Sequence, residues 1–180
     1  MRILAFIIFA FIAFSHAVAA EWHFGRMSIH WLDGYKWIDR EVAERFVGPN
    51  SEVVMVTSMG LRESGDPGKM AKSYLAFGET ELPRLSAAKG KDIMKMRREA
   101  LPRGITLFST AAVSNTDDKM FYIQFLAVTK TGQCALFTVA GNGAPAEALM
   151  RFRPLFETIN WKTDDKRADH SPEPAPGSVH

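Results

Sequence analysis

The chain has 180 residues, of which 22 are lysine or arginine and 20 are aspartate or glutamate, so its formal net charge is only +2. This balance gives no electrostatic reason to expect a nucleic acid or another polyanion as a partner. The single cysteine, Cys134, excludes an intramolecular disulfide, and packing must therefore hold the fold together. Cys134 begins an apolar run and is interpreted as a buried apolar residue.

The first twenty residues have the pattern of a secretory signal peptide. Arg2 precedes an uninterrupted apolar run from Ile3 to Phe14, and small residues follow up to Ala20. The run is shorter than the ~20 apolar residues of a membrane-spanning helix. We therefore predict a signal peptide at 1–20, a periplasmic or secreted protein, and no stable membrane insertion after cleavage.

Strand-like and aromatic residues open the mature chain. Apolar residues alternate with polar ones between Gly25 and Trp31, which predicts an edge or outer strand with Trp31 in the core. Tyr35 and Trp37 follow, and two roles are open to them: closing the core, or forming an exposed anchor for a partner. Apolar residues of Ile38–Val47 recur about one helical turn apart, which predicts a short helix or an irregular segment.

A strand and helical segments occupy the middle of the chain. The β-branched, apolar stretch Glu52–Ser58 predicts a second strand. Asp66 stands before a proline and is typical of a helix N-cap, so a helix should begin there. Gly78 is a candidate end for this helix, although a continuation beyond it is also open. The pattern of Asp92–Leu101 fits a helix or a strand equally well.

The last part of the chain predicts three strands and a helix. The strands are Gly104–Val113, Phe121–Val128 and Ala135–Val139, and the last two form a hairpin. Phe121–Val128 is apolar on both faces, which indicates a central strand covered on both sides. Pro145 begins an amphipathic helix whose regular part Pro154 should kink or end. The order of elements predicts an α+β fold with a mostly antiparallel sheet and helices packed on it.

The domain is expected to end near Trp161. Residues 162–180 contain several prolines and almost no large apolar side chain, which predicts a disordered tail. The remaining segment, 21–161, has the length of one domain with a substantial core.

The C-terminal unit resembles the end of PsbP-like domains, an α/β sandwich superfamily. The likeness consists of alternating aromatics at Phe121–Phe125, a turn glycine, a strand that ends at Gly141, a helix around Ala146–Phe156, and the closing segment 159–161. The resemblance implies a PsbP-like sandwich for the single domain. Such domains occur in small exported bacterial proteins and in protein-binding modules, usually without catalytic residues, so it also implies binding rather than catalysis.

Candidate catalytic groups are few. Ser86 and Lys89, together with Lys130–Gly132, are similar to two of the three motifs of the penicillin-binding and serine β-lactamase family. The third motif is missing, because Ser114–Thr116 lacks an asparagine at its third place. The glycine of the second motif is expected for the hairpin turn alone. The sequence shows no cluster of metal ligands and no cofactor motif, so we predict no catalytic residue, no metal and no cofactor.

Positive charge is concentrated between Lys89 and Arg103. One interpretation is a solvated helix face, and the other is a contact surface for an acidic protein, because opposite potentials steer encounter. Together with the aromatic pair near the mature N-terminus, the candidate binding residues are Lys95, Arg97, Arg98, Arg103, Tyr35 and Trp37.

The sequence therefore predicts an exported, non-catalytic periplasmic protein that binds another protein. An inhibitor or immunity protein for a toxin or an envelope enzyme would suit a small exported domain without a visible active site. Two alternatives stay open: a small envelope hydrolase that uses Ser86 and Lys89, and a lipid or small-ligand carrier with an apolar pocket between sheet and helices.

Overall fold

The structure, a computed structural model, describes residues 20–40, 43–59 and 66–162. The predicted signal peptide lies outside the described residues except for Ala20, and the predicted tail lies outside them except for Lys162. The cleavage site, the localisation and the disorder of the tail therefore stay predictions.

Strands dominate the described part of the chain. The strands, in chain order, are β1 (Ala20–Phe24), β2 (Met27–Trp31), β3 (Lys36–Arg40), β4 (Glu44–Val47), β5 (Val53–Met59), β6 (Gly90–Lys91), β7 (Arg97–Leu101), β8 (Ile105–Ser114), β9 (Met120–Thr129), β10 (Cys134–Asn142) and β11 (Asn160–Trp161). The α-helices are α1 (Pro67–Lys89) and α2 (Pro145–Phe152), and two 3₁₀ segments are Pro102–Gly104 and Arg153–Thr158.

An eight-stranded antiparallel sheet forms the centre of the molecule. Its order is β3-β4-β5-β10-β9-β8, and both β6 and β7 pair with the free side of β8 at different points along its length. The predicted hairpin is confirmed as β9 and β10, in which Phe125 lies opposite Phe137. Gly132 in its turn has φ +78°, and a Cβ there would lie 2.7 Å from the carbonyl oxygen of Pro67, so only glycine fits.

Helix α1 covers one face of the sheet over β8 and β9. Asp66 caps its N-terminus as predicted, since Oδ1 accepts hydrogen bonds from the backbone N–H of Gly68 at 2.9 Å and of Lys69 at 3.3 Å. The candidate end at Gly78 is wrong, because the helix continues to Lys89. Gly78 instead allows close packing, since a Cβ there would lie 2.6 Å from the ring of Phe108.

A second layer covers the opposite face of the sheet. It consists of α2, the following 3₁₀ segment and a small antiparallel sheet of order β1-β2-β11. Pro154 lies in the 3₁₀ segment that follows α2, which confirms that it ends the regular helix. Between the layers lies the larger core, in which Trp31 is fully buried, as predicted. The fold is thus α+β, with a mostly antiparallel sheet and helices packed on it.

Three predictions about the elements need correction or completion. The short helix or irregular segment predicted for Ile38–Val47 is wrong, because β3 and β4 pair with each other as antiparallel strands, and Phe46 of β4 turns inward with its ring centroid 3.8 Å from that of Trp22. Strand β2 is not an edge strand, because β1 and β11 flank it. The segment Asp92–Leu101, which fitted helix or strand, contains strand β7 from Arg97 onward.

A groove beside strand β7

Strand β7 divides the predicted basic stretch between two faces of the sheet. The ladder with β8 places Arg97 opposite Ser109 and Glu99 opposite Leu107, on the side of α2. Arg98 lies opposite Phe108, on the side of α1. The stretch is therefore neither a helix face nor one continuous patch, because side chains of a strand alternate between its two sides.

A groove of about 620 Å³ lies between β7 and α2. Its rim carries an exposed apolar side chain, since Met150 of α2 is 69% exposed. The residues that line it are Met94, Arg97, Arg98, Glu99, Ser109, Ala146, Leu149, Met150 and Arg153. The groove therefore combines thioether and aliphatic surface with the guanidinium groups of Arg97 and Arg153 and the carboxylate of Glu99, whereas the guanidinium group of Arg98 lies over the ring of Phe108 on the α1 side.

Ion pairs fix some of these charges and leave others available. Arg153 holds Glu99 through two nitrogens, Nε at 3.0 Å and Nη2 at 2.7 Å, and also pairs with Glu157. Arg98 pairs with Glu79 of α1. Arg97 and the neighbouring Lys95, both exposed, form no ion pair with any described residue.

Lys95 and Arg103 lie on either side of β7 along the chain, and they differ in their surroundings. Lys95 belongs to the loop that leads into β7, close to the groove. Arg103 follows β7 in the turn toward β8, where its backbone has φ +60°. Its guanidinium donates a hydrogen bond to the carbonyl oxygen of Ile159 at 2.8 Å, so this arginine ties the turn to the C-terminal segment.

Tyr35 and Trp37 lie at the opposite end of the sheet from β7. Tyr35 is half-buried and makes edge contacts with the rings of Trp22 at 5.9 Å and Trp31 at 6.1 Å. Burial and, to a lesser extent, the nearby Glu52 raise the pKa of its hydroxyl group. Trp37 on the edge strand β3 is 59% exposed. Tyr35 therefore helps to close the core, whereas Trp37 is presented to solvent.

Ser86 lies on the buried face of α1 and is not exposed in a cleft. It is 1% exposed, and its hydroxyl donates a hydrogen bond to Oε1 of Gln124 at 2.6 Å. The second motif, Lys130–Gly132, lies against Pro67 at the start of α1, whereas Ser86 and Lys89 lie at its end. A rise of 1.5 Å per residue separates Ser86 from Pro67 by roughly 28 Å along the helix. The two motif halves therefore do not converge.

Replacing Ser86 by alanine tests its structural role. The change leaves the carbonyl oxygen of the buried Gln124 without its donor, and an unsatisfied buried acceptor costs about 1–3 kcal/mol. We expect urea unfolding, followed by circular dichroism, to show a loss of that size. The matched control is Ser73→Ala, an exposed position of the same helix, which should stay within about 0.5 kcal/mol of wild type. Equal losses in both variants would contradict the assigned hydrogen bond.

Cys134 is fully buried on β10, which confirms its interpretation as a core residue. Burial raises the pKa of its thiol to about 12, although a hydrogen bond with Tyr74 lowers it in part. The thiol is therefore protonated at neutral pH, and its burial beneath α1 keeps it from reagents.

Two further features of the described residues bear on function. No group of three or more His, Cys, Asp or Glu side chains among them could hold a metal ion. Within the same residues, neither helix combines the length and the apolarity needed to cross a lipid bilayer.

Met150 and Arg153 were not among the predicted binding residues. They lie far along the chain from β7, and only the packing of α2 on the sheet brings them to the groove. A local signal exists for Met150, because it is a large apolar residue off the buried stripe of Leu149 and Phe152. No local signal marks Arg153, whose role depends on the distant Glu99.

No protein-family model matches the chain, and no curated protein matches it in sequence. Among solved structures, the chain is similar to cyanobacterial PsbP (CyanoP) from Synechocystis sp. PCC 6803, with a TM-score of 0.53 at 8% identity, over 83% of this chain and 96% of that chain. A single-residue mutant of the protein Mog1 aligns with a TM-score of 0.46 at 10% identity, over 79% of this chain and 95% of that chain. At such identities the likeness to PsbP concerns architecture alone. The chain has the PsbP-like α/β fold that its C-terminal unit predicted.

Proposed function

We propose that this chain is an exported, non-catalytic domain that binds an acidic surface of another protein at the groove between β7 and α2. The observation that carries the proposal is the exposed Arg97, without an ion-pair partner among the described residues, beside the exposed Met150. Arginine and methionine are enriched in protein–protein interfaces, whereas lysine and glutamate are depleted there. A groove that presents both types suits a protein partner.

Charge favours an acidic partner at this site. Arg97 lines the groove without an ion-pair partner among the described residues, Arg153 is balanced there by Glu99 and Glu157, and Lys95 follows the lining residue Met94 along the chain. A positive rim accelerates the encounter with a negative surface and disfavours a positive one. The remainder of the chain is nearly balanced in charge, so this preference is local.

Two alternatives receive less support from the geometry. A hydrolase based on Ser86 would need an accessible hydroxyl, but this one is buried and bonded to Gln124. A carrier would need an apolar cavity between the sheet and the second layer. The groove between β7 and α2 opens between these layers, but Arg97, Glu99 and Arg153 line part of it. In the buried core the ring centroid of Phe156 lies 4.3 Å from that of Phe125 and 4.9 Å from that of Phe137, so these rings fill the space there.

An inhibitor or immunity protein is the form of this proposal that we favour. The sequence predicts export, and a partner would then be a toxin or an enzyme of the envelope. A small rigid domain with a basic groove can cover an acidic surface of such a protein without any chemistry of its own.

Reversal of charge at the groove is the test of this proposal. The double change Lys95→Glu and Arg97→Glu should weaken partner capture about tenfold or more, because like charges then face each other across the interface. Neither residue has an ion pair to lose within the described structure. The measurement is an affinity pull-down from envelope extract with the mature chain as bait, followed by mass spectrometry.

The matched control reverses two exposed lysines of α1, Lys69→Glu and Lys72→Glu, which gives the same change in net charge. This variant should capture the partner as wild type does, and both variants should keep the wild-type circular dichroism spectrum. Capture that is equal in all three proteins, or that is lost in both variants, would contradict the groove as the binding site.

A further inference from the structure

We infer that the partner inserts an extended acidic segment that pairs with the free edge of β7 as an additional strand of the large sheet. This inference rests on the proposed function and specifies how the partner binds. It follows from the position of β7 in the sheet, from the regularity of its edge and from the charges on it.

Strand β7 ends the sheet on one side. It pairs with β8 along its whole length, from Arg97 opposite Ser109 to Leu101 opposite Ile105, and with no other strand among the described residues. In an antiparallel ladder every second residue points its N–H and C=O groups away from the neighbouring strand. β7 therefore offers a row of backbone donors and acceptors, which is the template that extended peptides use when they add to a sheet.

The edge is accessible and lies along the groove. Ala100, the fourth of the five residues of β7, is exposed, and its side chain is only a methyl group. On the α2 side, an added strand would bring every second side chain toward Met150 and Arg97. On the α1 side, the intervening side chains would approach Arg98. The backbone of β7 would thus supply the hydrogen bonds to the added strand, and the groove would determine which of its side chains fit.

The other edge of the sheet is less suited to pairing. The ladder of β3 with β4 has a register shift between Trp37 and Asp39, and such bulges bend an edge and protect it from pairing. The ladder of β7 with β8 has no shift between Arg97 and Leu101. Of the two edges, β7 is the regular one.

Charge identifies an acidic occupant rather than a second copy of this chain. Two β7 edges paired in parallel would bring Arg97 and Arg98 of each copy together, and two edges paired antiparallel about Glu99 would bring the two Glu99 carboxylates together. Like charges in adjacent strands are destabilising in both arrangements. An acidic strand would instead place carboxylates opposite these guanidinium groups. The charges of β7 therefore disfavour pairing of two copies at this edge, whereas its arginines favour an added strand of opposite charge.

The experiment uses a fluorescein-labelled peptide of alternating glutamate and valine, titrated into the mature chain and followed by fluorescence anisotropy. Two N-methylated forms of the peptide are compared, one methylated at every glutamate nitrogen and the other at every valine nitrogen. Only one set of alternating amides can face β7, so one form should lose binding at least tenfold and the other should bind within a few-fold of the parent. Amide hydrogen exchange of Arg97–Leu101 should slow on binding.

The controls separate this inference from the proposed function. A peptide of alternating lysine and valine should not bind, and Arg97→Glu should weaken binding of the glutamate peptide about tenfold. Equal binding of both N-methylated forms would overturn strand addition and leave acidic recognition in place, provided that Arg97→Glu still weakens it. Failure of the glutamate peptide to bind would overturn the inference, whereas the pull-down would still decide whether the groove recognises a folded acidic surface.

Discussion

Replacement of Trp31 by alanine should lower the free energy of unfolding by about 3–5 kcal/mol, the range for removal of a fully buried aromatic side chain. Trp31 is 0% exposed and joins the two layers of the large core. Its ring stacks on Trp22 of the small sheet at 4.9 Å, on Phe137 of the large sheet at 5.8 Å and on Phe152 of α2 at 5.8 Å. Because native domains are stable by only about 5–15 kcal/mol, this variant should be strongly destabilised. Guanidinium unfolding followed by circular dichroism measures the loss.

Trp37→Ala is the matched control for this prediction. The same side chain is removed, but Trp37 is 59% exposed and loses only its hydrogen bond to Glu44 at 2.8 Å, so we expect a loss below about 1 kcal/mol. Trp31→Phe should fall between the two, because it keeps a stacking ring and removes a buried indole N–H that has no acceptor among the described residues. Similar losses for Trp31→Ala and Trp37→Ala would contradict the arrangement of this core.

Removal of the buried carboxylate of Glu52 should cost about 2–3 kcal/mol of unfolding free energy. Its side chain is 3% exposed, and Oε1 pairs with Nη2 of Arg151 at 2.9 Å. Its other oxygen, Oε2, accepts a hydrogen bond from the backbone N–H of Asn50 at 3.1 Å. Glu52→Ala removes the ion pair that joins the loop before β5 to α2, together with the hydrogen bond from Asn50 within that loop. Because Arg151 is 39% exposed, it can turn to water, and we expect less than the full cost of an isolated buried charge.

Glu81→Ala is the control for Glu52, since its ion pair with Arg84 at 2.9 Å lies on the exposed surface of α1. A surface pair of this kind contributes about 0–1 kcal/mol, so urea unfolding should separate the two variants clearly. Glu52→Gln should lie between them, because an amide keeps the hydrogen bond from Asn50 but loses the charge. An effect of Glu52→Ala no larger than that of Glu81→Ala would contradict the buried pair.

The sequence correctly predicted the features that depend on only a few neighbouring residues. Asp66 before a proline predicted the start of α1, and Gly132 predicted the turn of the β9–β10 hairpin, because both depend on a few neighbouring residues. For the end of α1 the sequence left two possibilities open, a stop at Gly78 and a continuation beyond it, and the helix continues to Lys89. Glycine is required at position 78 for packing, because the ring of Phe108 occupies the space where a side chain would be.

Hairpin β3–β4 was missed for a different reason. Its apolar residues recur at a helical spacing, but in β4 only Phe46 is buried, and its neighbours Arg45 and Val47 are half-buried. The pairing with β5 decides the conformation, and pairing between distant segments leaves little trace in a local pattern. Pairing with β5 therefore determined the strand conformation, although the apolar residues have a helical spacing.

The candidate site was predicted only in part. The concentration of positive charge around Arg97 and Arg98 is visible in the sequence, but its division between two faces depends on the strand and its register. The partners that hold Arg98 and Arg153 in place, Glu79 and Glu99, lie far from them in the chain. The positive charge of this segment could therefore be predicted from the sequence. Which of its charged side chains are free to contact a partner depends on the fold.

Strand β11 closes the small sheet with the last described residues of the chain. Asn160 and Trp161 pair with Ser28 and Met27 of β2, so the sheet joins segments from opposite ends of the domain. Contacts of such long range delay folding, because the entropy of closing the chain must be lost before they form. The small sheet is therefore not complete until the whole domain has been synthesised.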